Sequence, residues 1–172
     1  MNGLNKVAIA SVMILAGAGA AFAQTTANTT GSTTILRPLT ITKDADLAFG
    51  RVVRPTSGTS TVAIADTADT VSVGGTGLSA GGTTSRAAYT IDGEGAQVVS
   101  LTIPADFTMT HTNTVDELEV TLDPSATGTT TLDGTIGGDG TAGLFIGGSF
   151  DVTTTTVSGA YSGTFNVDVA YQ

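Results

Sequence analysis

The stretch Tyr161-Ser-Gly-Thr-Phe-Asn-Val-Asp-Val-Ala-Tyr171-Gln172 decides the fold class of this chain. Read backward in steps of two, one set is Tyr171, Val169, Val167, Phe165, Gly163, Tyr161 and Gly159. The residues between them, Ala170, Asp168, Asn166, Thr164 and Ser162, are polar or small. Successive side chains of a strand point to opposite faces, so this alternation predicts a β-strand with one buried and one wet face. It continues to the penultimate residue, a place where most domains fray. The strand is therefore expected either to close the core or to offer a docking surface, and the choice between the two decides the function.

Working outward, the same period recurs in short runs. Leu118, Val120 and Leu122 alternate with Glu117, Glu119 and Thr121 until Asp123-Pro124. Val62-Ala-Ile64 and Val71-Ser-Val73 alternate, the second closed by Gly74-Gly75, and Ala87 to Ile91 runs toward Asp92-Gly93, a turn signal. Val98 to Ile103 precedes Pro104, with Phe107 and Met109 continuing the pattern. Leu144-Phe-Ile146 and Phe150-Asp-Val152 flank Gly147-Gly148, where a bulge or bend is expected. Ile35 to Thr42 reads as a strand that Pro38 confines to an edge or to a switch between sheets, and Leu47-Ala-Phe49-Gly50 as a short buried element. No stretch of ten residues beyond the N-terminal segment has capped helical periodicity. The expectation is an all-β, antiparallel β-sandwich over residues 35–172, with Greek-key connections.

The N-terminal segment reads as a secretory signal peptide, residues 1–23. Lys6 supplies its charge, Val7 to Ala20 its apolar run and Ala21-Phe22-Ala23 its small-x-small cleavage site. The apolar run is short for a membrane span, so export through the periplasm to the cell surface or beyond is expected, without membrane insertion of the mature chain. There is no Cys, hence no disulfide framework. Fifteen acidic residues against six Lys and Arg give a net charge of −9, which repels nucleic acid and anionic membrane. Residues 24–34 form a Thr/Ala/Asn/Gly/Ser tract that cannot bury enough apolar surface to offset its ordering entropy, and read as a flexible extension.

Few residues offer chemistry. His111 is the only histidine, which excludes a multi-histidine metal site and a catalytic triad, and it reads as a surface residue. Glu117 and Glu119 alternate with a hydrophobic face and read, with Asp116, as solubilising charge rather than a glycosidase pair; no Trp accompanies them as a sugar platform. Gly137-Gly-Asp-Gly140 resembles one element of a calcium-binding repeat but does not recur, so it reads as a loop. Arg37, Arg51, Arg54 and Arg86 read as scattered surface charges. No enzymatic activity and no cofactor are expected.

The segments Ile35-Leu-Arg-Pro-Leu-Thr-Ile-Thr-Lys-Asp-Ala-Asp-Leu-Ala-Phe-Gly50, Tyr89-Thr-Ile-Asp-Gly93, Val99-Ser-Leu-Thr-Ile-Pro104, Phe145-Ile-Gly-Gly148 and the C-terminal strand resemble domain-of-unknown-function family 4402, a group of secreted bacterial β-domains. The C-terminal strand also resembles that of chaperone–usher pilins, with Tyr171 penultimate and Gly159 fourteenth from the end, counting Gln172 as first. That second resemblance implies an immunoglobulin-like, pilin-like sandwich lacking its last strand. It implies a groove filled first by a periplasmic chaperone at an outer-membrane usher, and then by the N-terminal extension of the next subunit. On that reading Gly159, Tyr161, Gly163, Phe165, Val167, Val169 and Tyr171 form the acceptor strand, and Ala27, Thr29, Gly31, Thr33 and Ile35 point inward from the donor. The donor residues are smaller and more polar than those of a typical pilin, and the disulfide of many pilins is lacking.

Two functions are thus expected. One is a structural subunit that self-associates into a fimbria-like surface filament by donor-strand complementation. The alternative is a self-contained, monomeric secreted β-sandwich acting as a binding module or adhesin, with its final strand paired in its own sheet.

Overall fold

The alternation in the sequence is realised as β-strands throughout a computed structural model that describes residues 25–172, with no helix among the described residues. The signal-peptide reading of residues 1–23 lies outside the described residues. Residues 25–34 carry no strand and are exposed along their length.

Residues from Ile35 onward form a unit of their own. The strands are β1 (Thr40–Ala45), β2 (Ala48–Phe49), β3 (Val52–Val53), β4 (Thr59–Ile64) and β5 (Val71–Val73). They continue with β6 (Leu78–Ser79), β7 (Thr84–Ser85), β8 (Ala87–Glu94), β9 (Val98–Thr102) and β10 (Asp106–His111). The last five are β11 (Glu117–Pro124), β12 (Gly128–Thr131), β13 (Asp139–Thr153), β14 (Tyr161–Ser162) and β15 (Asp168–Tyr171). Pro38 precedes β1, and β1 lies at the end of its sheet, where a missing ladder donor next to it does no harm.

The main sheet has the order β1-β8-β13-β11-β10-β14, with β4 on β13 and β5 beyond β4, and includes a curled half-barrel. A second sheet has the order β12-β9-β15, and two short ribbons pair β2 with β7 and β3 with β6. All pairings are antiparallel.

The 15-residue β13 organises the main sheet. Its first half pairs β8 through Asp139–Ile146, and its second half pairs β4 through Gly148–Thr153. The two apolar runs expected to be separated by a bend are thus one strand. Gly147 sits at the change of partner, where a Cβ would overlap the Ile64 carbonyl, so only glycine lets the two neighbours meet. The turn expected at Asp92-Gly93 is also displaced. Both residues stay in the ladder, paired with Thr141 and Gly140, and the chain turns at Gly95-Ala96 instead. Continuing ladder hydrogen bonds override the local preference of an Asp-Gly pair.

Inward residues gather in two clusters. The first buries Ala87, Ile91, Val99, Leu101, Leu122, Leu132, Leu144 and Ile146. The second buries Phe49, Val62, Ile64, Val120, Phe150 and Val152, with Phe49 and Phe150 edge-to-face at 4.9 Å between ring centres. Each fully buried Val, Leu or Ile contributes about 1.5–3 kcal/mol of transfer free energy, so these two clusters are what the strands fold to form.

Candidate functional site

The C-terminal stretch keeps its predicted faces but not its predicted continuity. Tyr161, Phe165, Val167, Val169 and Tyr171 are half-buried, while Ser162, Thr164, Asn166, Asp168 and Ala170 are exposed; Gly159 and Gly163, expected on the inward face, are exposed as well. The single strand expected there is two short ones. β14 pairs the edge of the main sheet, Tyr161 opposite His111 and Ser162 opposite Thr110. Residues 163–167 belong to no ladder, and β15 pairs β9 in the second sheet, Val169 opposite Leu101 and Tyr171 opposite Val99. A chain crossing from one sheet edge to another must drop its ladder between them, while its side-chain alternation can persist. Phe165 marks the crossing, its ring 5.0 Å from that of Phe107.

β15 is the terminal strand of its sheet, so its outer backbone edge has no strand partner among the described residues. Phe165, Val167, Val169 and Tyr171 pack on the first cluster without being fully buried. Gly159, Tyr161 and Gly163 lie elsewhere, along a groove over the second cluster. The seven residues expected to form one acceptor wall are therefore divided between two surfaces. Ala27, Thr29, Gly31, Thr33 and Ile35, expected on a donor strand, are exposed and form no strand pairing among the described residues, Ile35 at 88% exposure.

Tyr171 is tied down at its hydroxyl. It accepts the Glu94 backbone N–H at 2.7 Å and donates to the Arg37 carbonyl at 3.0 Å. Glu94 is 3% exposed. Its carboxylate accepts the backbone N–H groups of Arg37 (3.4 Å) and Gly137, and faces the Arg37 guanidinium with Nε at 3.7 Å. That guanidinium also pairs with Asp139 and donates to the Gly137 carbonyl at 3.3 Å. A buried carboxylate needs this company, because an unpaired one would carry the full desolvation penalty. Arg37 is exposed, as expected of a surface charge, and is also a junction between the segment before β1, the end of β8 and the last strand. The Gly137–Gly140 stretch, expected to be a loop, completes this junction only half as one: Gly137 and Gly138 turn, while Asp139 and Gly140 open β13 opposite Glu94 and Gly93. No group of three or more His, Cys, Asp or Glu that could hold a metal occurs among the described residues.

Arg86 also departs from expectation. It lies 4.0 Å from the Phe145 ring centre and donates to the Asp66 carbonyl at 2.5 Å, so it packs as well as carrying charge.

His111 is buried at 8% exposure, which corrects its reading as a surface residue. Nδ1 accepts the Asn113 N–H at 3.0 Å, which leaves the proton on Nε2 to be donated to the Ser158 carbonyl at 3.3 Å. Its ring meets that of Tyr161 at a tilt of 60°, with centres 4.8 Å apart. Gly159 passes beneath it with φ of +154°, and a Cβ there would overlap the imidazole. The His-Thr-Asn tripeptide gave no sign of this, because the packing partner lies 48 residues later in the chain. Glu117 and Glu119 do sit exposed on the wet face of β11.

The family described as "Domain of unknown function (DUF4402)" matches residues 39–171. The chain belongs to this family. The DUF4402 match takes in every strand from β1 to β15 and begins just after the Arg37-Pro38 junction, leaving residues 25–34 outside it. Neither the curated proteins nor the solved structures contain a match to the chain. No helix among the described residues of this DUF4402 protein is long and apolar enough to cross a membrane.

Proposed function

We propose that this DUF4402 protein is an exported structural subunit of a fimbria-like surface filament, an immunoglobulin-like domain that accepts a strand from the next copy. The observation that carries the reading is β15, a terminal strand whose inward residues are only half-covered, in a chain that also has an exposed, unpaired tract at residues 25–34. An incoming strand satisfies an open backbone edge and covers the apolar side chains beside it. Phe165, Val167 and Val169 supply bulk on the acceptor side, so the small donors Ala27, Thr29, Gly31 and Thr33 of a second copy suit the space left. Export through the periplasm, and handling by a chaperone and an outer-membrane usher, belong to the same proposal. They are motivated by residues 1–23 and by the need to keep an open edge covered before assembly.

A second reading, a self-contained binding module or adhesin, is favoured by one observation: the Tyr171 hydroxyl is satisfied at both ends by its own chain. The two readings separate on a gel. The filament predicts a ladder in unboiled samples of the exported protein that collapses on boiling and is lost when residues 24–34 are deleted, with the deleted protein still folded. A single monomer band from the intact chain, or ladders that survive the deletion, would rule out the filament.

A further inference from the structure

The groove over the second cluster has a volume of about 870 Å³ and is open to solvent on one side. Phe49, Phe150, Met109 and Leu118 line its apolar part, and the chain from Thr156 to Gly163 forms one wall. Two of the six cationic residues of the protein, Arg51 and Arg54, line it as well, and no Asp or Glu does. This runs against the molecule as a whole, whose net charge is −9. Arg54 donates to the Thr156 carbonyl at 3.2 Å, and neither guanidinium forms an ion pair with a carboxylate among the described residues. Both arginines are exposed at the rim of the groove, where a guanidinium without an acidic partner can bind an incoming carboxylate through two parallel N–H groups.

The occupant therefore combines apolar side chains with a carboxylate. The tract proposed as donor does not qualify, since residues 25–34 contain no Asp or Glu. We propose that this groove docks an extended peptide segment of a partner protein, bearing apolar side chains and at least one carboxylate. A peptide fits better than a fatty acid for two reasons. An alkyl chain sheds its water in a closed sleeve, whereas this groove is open on one side. The residues from Val157 to Ala160 are exposed, and although the carbonyls of Val157, Ser158 and Ala160 are taken by Tyr161, His111 and Thr112, the N–H groups of this wall donate to no carbonyl among the described residues, so a peptide carbonyl can pair with them and an alkyl chain cannot.

The test is selection of a random nonapeptide display library against the immobilised full chain, followed by fluorescence anisotropy with the enriched peptides. Enriched sequences should carry Asp or Glu next to apolar residues. Their affinity should fall at least tenfold for the Arg51→Gln/Arg54→Gln variant and on replacing the acid by its amide, with the variant's thermal unfolding unchanged. Enrichment of peptides without a carboxylate, or equal binding to the double variant, would overturn the proposal. So would failure to enrich any sequence. Arginine-dependent binding of oleate without peptide binding would assign the groove to lipid. Loss of a dimer in sedimentation of the double variant would assign it to a second copy.

Discussion

Replacing Tyr171 by Phe removes one oxygen atom and leaves the ring on the first cluster, so it isolates the hydroxyl junction. Two hydrogen bonds are lost. The one to the Arg37 carbonyl is solvent-exposed, so water replaces it and the net loss is about 0.5 kcal/mol. The one from the Glu94 N–H is different, because Glu94 is 3% exposed and its donor is left buried without a partner. That adds about 1–3 kcal/mol. The expected destabilisation is therefore about 2 kcal/mol, which at this chain length lowers the melting temperature by about 4–8 °C. Equilibrium urea unfolding of the two proteins measures the difference, and hydrogen exchange localises it: the Glu94 amide should lose protection more than the amides of β4. A change below about 0.5 kcal/mol, or an unaltered Glu94 amide, would refute the claim that this hydroxyl joins the last strand to the start of the domain.

Two more outcomes follow from the geometry. Gly159→Ala places a side chain against the His111 ring at a φ of +154° and should destabilise by about 2–4 kcal/mol in the same urea assay, combining backbone strain with overpacking. Gly31→Ala, with open space around it, should change nothing, and similar effects at the two sites would contradict the packing described. Burial raises the Tyr89 phenol above its ordinary 10.0, with Lys43 opposing and Asp46 adding to the shift. A raised value in the folded state means that the neutral phenol contributes its full stability below pH of about 10 and loses it as the pH climbs through the folded value. The urea midpoint should fall from pH of about 9.5 upward, and fall less steeply in Tyr89→Phe; parallel slopes would count against it.

Much of the fold was legible because strand periodicity is a local property. The faces of β11, β4 and the C-terminal stretch read correctly from which residues alternate, since a buried face needs an apolar side chain at every second position. Pro38 narrowed the first strand to an edge or a switch between sheets; the structure makes it an edge and starts it at Thr40, after the proline rather than at Ile35. The limits of elements were less so. Asp92-Gly93 has the chemistry of a turn yet stays in the ladder, and Gly147-Gly148 has the chemistry of a bend yet sits within one strand, because both are held by neighbours on either side.

The candidate sites were legible only in part. Alternation marked Phe165, Val167 and Val169 as inward-facing, but could not tell that the same stretch leaves one sheet at Ser162 and joins another at Asp168. His111 and Arg37 read as surface residues because polar side chains usually are. The burial of His111 and the pairing of Arg37 depend on Gly159 and Glu94, far away in sequence. Arg51 and Arg54 gave no sign of sharing a groove with Phe150, which comes from another part of the chain.

The sequence by itself determined that this is an antiparallel all-β chain of its family, acidic, without cysteine, and with an inward face running to Tyr171. Those properties are sums over residues or repeats of period two, which neighbours alone define. Only the tertiary structure decided where that last face goes: half to a groove rimmed by arginines, half to an open edge, with a single hydroxyl bridging residues 134 positions apart. Pairing between distant segments is set by which surfaces the whole chain can bury at once, and no local pattern records that choice.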